Sequence, residues 1–519
     1  MYSFSQVLRR AALVNGDGVA TRYQGRNTTW AQTSARVPQL AGALRTLGLD
    51  SGDRVAILGV NSDEYFQWLF AIPWAGGVFV PVNTRLAPEE IVYCLNQSGS
   101  RVLIVDDTYS GLVAQIRGEV GSIEHVIHIS DRAAAPGCVL LRDLLARSAP
   151  VPDAGRGGDD LASICFTGGT SGRSKGVMLT HDHLIVSTLQ WAFEIGVGRD
   201  DVILVVAPMF HLAGAINAFA AAVLAASACI MSRFDPRLML QTMASERVTK
   251  AAWVPTMLNA ILSHPDFASF DLSSLRRITY GGSPISETLL RRALEALPHV
   301  QLFQVYGQTE GGPIISVLKP VDHQTSGPTA GRLNSAGQMI VGTEIRIVDA
   351  DDQPVGHGVA GEICVRGLTV AHGYWNLPEE TRQAQRGGWL HTGDAGYLDA
   401  DGFLYIVDRV KDMIITGGEN VYPQEVENVL CAHPAVFECA VFGIPDERWG
   451  ERIHAVVRLR EGCSVERDEL IAHCRQHLAP YKCIRSVDFR TEPFPLSGIS
   501  KILKRELRAP YWQARQRQV

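Results

Sequence analysis

The sequence predicts an α/β protein with a large N-terminal domain of several subdomains followed by a small, mobile α+β C-terminal domain. Three observations carry that expectation. Apolar β-rich runs such as Arg54–Gly59 and Arg101–Val105 alternate with helical patterns through roughly the first 150 residues, which is the signature of α/β layering. At 519 residues the chain exceeds one ordinary core, so two or more domains are expected. Near residue 410 the texture changes: the charged run Asp408–Asp412 separates a Gly- and Asp-rich stretch from a compact pattern of about 100 residues, dividing the chain into 1–409 and 410–519.

Pro88, followed by Glu89 and Glu90, has the chemistry of a first helical turn. Pro150–Asp160, rich in Gly, Pro and Asp, reads as a surface connection into a strand at Leu161–Phe166. The longest apolar tract, Val202–Met231, is free of Lys, Arg, Asp and Glu, but Pro208, His211, Gly214 and Asn217 interrupt it, so buried protein is expected rather than a membrane span. The small domain opens with a helix at Pro423–Leu430, with Pro at a first-turn position and Val426, Val429 and Leu430 on one face. Strands at Val436–Ile444 and Ile453–Leu459 follow, then a helical pattern aligning Leu470, Ile471, Cys474 and Leu478.

Charged residues make up 20% of the chain, apolar ones 46%, and the formal net charge is −6, so a polyanionic partner such as nucleic acid is not expected. The ten cysteines are scattered, with no C-x-x-C pair and no His cluster at metal-ligand spacing, which suits reduced thiols in the cytoplasm. The N-terminus lacks the unbroken apolar stretch of a secretory signal.

The strongest local signal is Cys165–Gly176, a strand followed by glycines and hydroxyl residues and then Lys175. Glycines let backbone N–H groups approach phosphate oxygens, Thr167, Thr170 and Ser171 add donors, and Lys175 adds charge. It is not a Walker A loop, because Lys175 lies between Ser174 and Gly176 and Val-Met-Leu follows. A solvated linker is the plain alternative.

These residues resemble the phosphate loop of the adenylate-forming enzymes, a family that includes acyl-CoA synthetases, firefly luciferase and peptide-synthetase adenylation domains. Gly168 stands in place of Ser, Ser171 in place of Thr and Ser174 in place of Pro. Further motifs occur in the family's order over nearly the whole chain. By that resemblance Thr167, Gly168, Gly169, Thr170, Ser171, Gly172 and Lys175 hold ATP, with Thr170 also catalytic, and His211 in Pro208–Gly214 lies beside the acid's carboxylate. Tyr280, Gly281, Gly282, Ser283 and Pro284 resemble the adenine-bracketing segment. In Tyr306–Glu310 the family uses Tyr306 at the adenine, with Gly307 and Gln308, Thr309 at the α-phosphate and Glu310 on Mg²⁺, a hard cation suited to a carboxylate.

The resemblance further assigns Asp394 to the ribose hydroxyls, with Tyr405 and Arg409 completing the nucleotide site, and Lys411 to a hinge about which the small domain rotates. Gly417, Gly418 and Glu419 would line the pantetheine tunnel, and Trp449 would contact coenzyme A. Pro495–Lys504 resembles the Gly-Lys signature with Ser500 in place of Gly, which makes Lys501 the catalytic lysine; its ammonium can bridge the attacking carboxylate and the α-phosphate. Lys504 and Arg505 read as surface charges.

The implied activity is an ATP-dependent acyl-CoA synthetase using ATP, Mg²⁺ and coenzyme A. The acyl pocket would include His211, Gly214, Ala215, Tyr280, Gly307 and Pro313, and its expected walls, Phe210–Ala222 and Gly311–Val317, contain no Lys, Arg, Asp or Glu, which favours an apolar fatty or aromatic acid. A ligase that loads a carrier protein and a luciferase-like oxygenase share the adenylation motifs. A silent acyl-binding scaffold would be expected to lack Lys501, Glu310 or Asp394, and all are present. A homodimer is left open.

Overall fold

The computed structural model describes residues 2–167, 173–283, 285–409, 413–416, 419–446, 448–496 and 502–512. Gly168, Gly169, Thr170, Ser171, Gly172, Pro284, Lys411, Gly417, Gly418 and Lys501 lie outside the described residues, as do the side chains of Arg409 and Glu419.

Two large sheets organise the first part of the chain. One has seven strands in the spatial order Val139–Leu140, His125–Ile129, Val102–Asp106, Arg54–Leu58, Val78–Pro81, Leu161–Thr167 and Lys175–Thr180, parallel except for the last pair. The other has nine strands, with Gln301–Gln308, Arg277–Gly281, Lys250–Trp253, Val202–Val205 and Ser227–Ile230 running parallel through its middle. Parallel neighbours need crossover helices, and these cover both faces. The main core lies between the sheets: Ile57, Phe79 and Ile104 come from one, Ile203, Val205 and Phe303 from the other, with the helices Phe4–Asn15, Asp63–Trp74, His181–Ile195 and Leu212–Leu224 sandwiched there. The outer faces carry separate cores, one around Leu58, Val80 and Leu103 and one around Trp253, Tyr280 and Leu302.

The longest apolar tract folds as a strand, the helix Leu212–Leu224 and a second strand, and most of it is buried in the inner and outer cores. Among the described residues no helix is long and apolar enough to cross a membrane.

Thr343–Val348, Gly361–Gly367, Leu390–Leu398 and Leu404–Arg409 form a four-stranded antiparallel sheet. A further sheet draws its strands from residues 414–489 and has its own core around Ile414, Val426, Val441 and Val457. Its helix Pro423–Cys431 starts on the proline as expected. Its main hairpin, Val436–Asp446 with Gly450–Leu459, is longer than the apolar pattern, because ladder hydrogen bonding continues through the polar end at Pro445, Asp446 and Glu451. The next helix, Arg467–His477, stops one residue before Leu478, which is extended.

The start of the helix His181–Ile195 makes the fold sensitive to acid. Thr180 Oγ1 accepts from His183 N at 3.2 Å, and His183 Nδ1 accepts from Thr180 N at 3.1 Å, a reciprocal cap; His181 Nδ1 accepts from Phe4 N at 3.3 Å. Burial pushes both imidazoles from 6.5 down to about 4. Between those values the unfolded chain binds protons that the folded chain does not. Stability is therefore complete above pH 6.5 and falls as the pH drops toward 4, by up to about 1.4 kcal/mol per pH unit for each histidine. Thermal unfolding at pH 7 and pH 5 should show the loss, and His183→Gln, which keeps a side-chain oxygen for the cap, should shrink it; an unchanged difference would contradict this account.

Candidate active site

Four chain segments meet around Glu310. The strand Leu161–Thr167 and its antiparallel partner Lys175–Thr180 place Thr167 opposite Lys175, at the two ends of the hydroxyl-rich loop. Thr167 Oγ1 donates to Glu310 Oε1 at 3.0 Å, and the Tyr374 hydroxyl donates to the same oxygen at 3.3 Å. The Lys175 ammonium lies 4.9 Å from the centre of the Tyr374 ring. The backbone fixes this grouping: Ala371 N donates to the Glu310 carbonyl at 2.8 Å, and Trp375 N and Met178 N join the 373–375 segment to the Lys175–Thr180 strand. Burial, and next to it the Glu310 carboxylate, hold the Tyr374 phenol well above its ordinary value, so it stays a donor at neutral pH.

Tyr374 is a site residue that sequence reasoning missed. Its only local mark is Gly373-Tyr374-Trp375, an ordinary-looking turn about 60 residues from Glu310.

A second grouping is built on Asp394. Tyr306, on the strand Gln301–Gln308, donates through its hydroxyl to Asp394 Oδ2 at 2.8 Å, and both residues are buried. Asp394 sits opposite Arg409 in the hairpin register. The turn before it is held tightly: Thr392 Oγ1 donates to the Ile363 carbonyl at 2.7 Å and accepts from Asp394 N at 3.1 Å. Glu362 accepts from Gly393 N at 3.1 Å and pairs with His391 Nδ1 at 2.8 Å. With Cys364, which shares a strand with Glu362, these last two form a His/Cys/Glu group; His391 joins it from the neighbouring strand, so the sequence shows no His cluster at metal-ligand spacing. Arg386 pairs with Glu362 as well, so the group acts as a clamp on the Gly393 turn.

Gly307 lies between these groupings. A Cβ there would come within 2.4 Å of the Pro313 carbonyl oxygen, so the crossing of the two strands excludes any side chain. Gln308, Thr309 and Pro313 are half-buried beside it, as are Gly281, Ser283 and, on the nearby strand end, Ala252. Gly282 is exposed.

His211 caps the helix Leu212–Leu224 with its backbone and is half-buried against the Phe210 ring at 4.7 Å. Gly214 in the first turn is required by packing: a Cβ would meet the Pro208 carbonyl oxygen at 2.1 Å, so the helix presses onto the segment that carries His211. Ala215 is buried beside it. Buried Asn61 anchors this segment, accepting from Met209 N at 2.8 Å and donating to the Ala207 carbonyl at 3.0 Å. No motif marks Asn61 in the sequence.

Three expectations need correction. Tyr280 does not face His211 and Gly214: strand alternation puts it in the outer core with Trp253 and Leu302, its hydroxyl 2.8 Å from His323 Nε2. Thr279 takes the inner face instead. Tyr405 is not brought to Asp394; it stacks on Tyr397 at 4.8 Å and donates to Asp399 at 3.4 Å, four strand residues, about 13 Å, from Arg409. Lys504 is not a free surface charge but pairs at 2.8 Å with Glu427, a buried carboxylate that also accepts from Val441 N at 2.7 Å.

Leu503 N also returns to the Pro495 carbonyl at 2.8 Å, so the chain on both sides of Lys501 is anchored. Glu427→Ala should cost about 2 kcal/mol by removing the buried carboxylate that accepts from the Lys504 ammonium and the Val441 amide. Chemical denaturation would check this, and a loss below about 0.5 kcal/mol would contradict the anchoring role.

In the later part of the chain, the guanidinium groups of Arg448 and Arg485 lie over the Trp449 ring, 4.8 and 4.2 Å from its centre. That grouping concentrates positive charge beside an aromatic ring, a chemistry suited to phosphates.

The comparisons with known proteins agree with this geometry. The family model for AMP-binding enzyme matches residues 8–375, and that for the AMP-binding enzyme C-terminal domain matches residues 425–501. A feruloyl-CoA synthase from Amycolatopsis is 40% identical over 503 residues, covering 96% of this chain and 97% of that protein. A fatty acid–[acyl-carrier-protein] ligase, ScoC, from Streptomyces coeruleorubidus is 35% identical over 94% of this chain and 92% of that protein. The crystal structure of the anthranilate CoA ligase AuaEII with anthranoyl-AMP superposes with a TM-score of 0.90 at 30% identity, covering 99% of this chain and 98% of that one. The chain belongs to the AMP-binding, adenylate-forming enzymes and, within them, to the carboxylic acid–CoA ligases.

Proposed function

We propose that the enzyme activates an aromatic or fatty carboxylic acid with ATP, releasing pyrophosphate, and passes the acyl group from the adenylate to the thiol of coenzyme A, releasing AMP. The observation that carries this reading is the convergence of Thr167 and Tyr374 on one oxygen of Glu310, at the mouth of the phosphate loop and beside the Tyr306–Asp394 pair.

Asp394 would accept hydrogen bonds from the ribose diol, with Tyr306 fixing its orientation. Thr167, Thr170, Ser171 and Lys175 would cradle the phosphates. Glu310 fits a divalent cation, being a half-buried carboxylate with hydroxyl groups around it, and Mg²⁺ held there would neutralise charge on the triphosphate. His211 would orient the acid's carboxylate toward the α-phosphorus, and Lys501 would stabilise negative charge as the acyl–phosphate bond forms.

Residues 1–409 would bind ATP and acid, while residues 410–519 would turn about Lys411 between the two half-reactions. In the second, Gly417, Gly418 and Glu419 would line the route of the pantetheine arm, and Trp449 with Arg448 and Arg485 would hold the nucleotide end of coenzyme A. The uncharged helix Leu212–Leu224 supports an apolar acid, and the feruloyl-CoA synthase relative supports an aromatic one.

The test is to incubate the enzyme with Mg·ATP and a panel of fatty, benzoic and cinnamic acids. Acyl-AMP without coenzyme A, and acyl-CoA when it is added, is the expected outcome. Transfer to a phosphopantetheinylated carrier protein but not to coenzyme A would move the assignment to a carrier-protein ligase.

A further inference from the structure

Lys250 is the one lysine among the largest fully buried side chains, with no exposed surface. It has no ion pair among the described residues: its ammonium hydrogen-bonds to Asn217 Oδ1 and lies 4.0 Å from the centre of the Trp191 ring. The nearest acid that acts on it, Asp201, is already engaged by Thr249, Arg276 and Arg277. Burial pulls the amine well below its ordinary value. Closing a core needs no such group, since methionine or leucine would fill the volume without the cost of desolvating an amine.

Its position links it to the site. Lys250 opens the strand Lys250–Trp253, and its register partner Ile203 belongs to the inner core, so Lys250 and Ala252 point toward the helices His181–Ile195 and Leu212–Leu224. Ala252 pairs with Thr279 on that face. In the middle of a nine-stranded sheet a residue under a helix layer is normally sealed, yet Ala252 is half-exposed, and Ala213 in the first turn of Leu212–Leu224 is exposed. The space between sheet and helix is therefore accessible at Ala213 and Ala252 and closed at Lys250. Its inner end is Lys250: Asn217, which accepts from the amine, donates back to the Ala213 and Gly214 carbonyls at 2.9 and 3.5 Å. From His211 to Asn217 is six helical residues, about 9 Å, close to the span from carboxyl to para-hydroxyl in a hydroxycinnamic acid.

Resting on the reading of the site given above, we propose that Lys250, with Asn217 and Trp191, forms the floor of the acyl cleft and binds a hydroxyl on the far edge of an aromatic acid of cinnamate length. The amine has unused hydrogen-bonding capacity that such a hydroxyl satisfies. Because the amine is sealed, the indole of Trp191 or the amide of Asn217 turns aside as the ring enters. An acid lacking the hydroxyl leaves the buried amine unmatched, and this sets the discrimination.

Two measurements test it: kcat/KM for 4-hydroxycinnamate and cinnamate at saturating Mg·ATP and coenzyme A, and calorimetric binding of the same acids with a non-hydrolysable ATP analogue. Wild type should favour the hydroxylated acid on the order of 10²-fold. Lys250→Met should bring the ratio to within a few-fold of one, chiefly by losing the hydroxylated acid, with an unfolding midpoint no lower than wild type. Lys250→Gln, which keeps a donor and an acceptor, should lie between. Turnover or binding of both acids without discrimination, or a ratio that neither variant changes, overturns the Lys250 assignment alone. Discriminating binding with no turnover of any acid would support Lys250 and overturn the adenylation reading.

Discussion

Lys501→Ala is expected to lower acid-dependent pyrophosphate release by on the order of 10²–10³-fold, the loss typical of removing one preorganised charge from a developing anion. The same variant should still convert preformed acyl-adenylate and coenzyme A to thioester at close to the wild-type rate, because the proposed role of the lysine is confined to the first half-reaction. The anchors on either side of it, Leu503 to Pro495 and Lys504 to Glu427, remain in the variant, so its stability should match wild type. Equal losses in both half-reactions would contradict the assignment. Stopped assays that follow each half separately make the distinction.

Glu310→Gln should have the second largest effect. The amide oxygen can still accept from Thr167 and Tyr374, so the local structure and unfolding midpoint are retained while the negative charge is lost. Turnover at fixed Mg·ATP should fall by on the order of 10²-fold, with the magnesium dependence shifted to higher concentration. A variant with normal magnesium dependence would show that Glu310 only supports the loop through its hydrogen bonds.

The sequence carried the layered α/β class and the motif positions because both are local. Hydrophobic periodicity marks strands and helices, and Thr167, Glu310 and Asp394 sit in short runs of unusual composition. What it did not carry depends on which face of a strand a residue takes and on pairings between distant segments. Tyr280 sits in a motif, yet strand alternation sends it to the outer core, with Thr279 inward. Tyr374, Asn61 and Glu362 support the site from elements far away in the chain, through contacts that leave no spacing signature. Lys504 read as a solvated charge because its partner Glu427 lies in another element. The uncharged runs Phe210–Ala222 and Gly311–Val317 are each continuous in the chain, whereas the proposed floor of the acyl cleft comes from a separate segment. Lys250 enters from the strand between Val202–Val205 and Arg277–Gly281.

The central claim is that the acid's own oxygen attacks the α-phosphorus of ATP, and one isotope experiment tests it most directly. With the carboxylate labelled with oxygen-18 and coenzyme A present, the account predicts that the AMP released carries one labelled oxygen and the thioester retains the other. Label appearing in inorganic phosphate instead, with ADP as the nucleotide product, would contradict it.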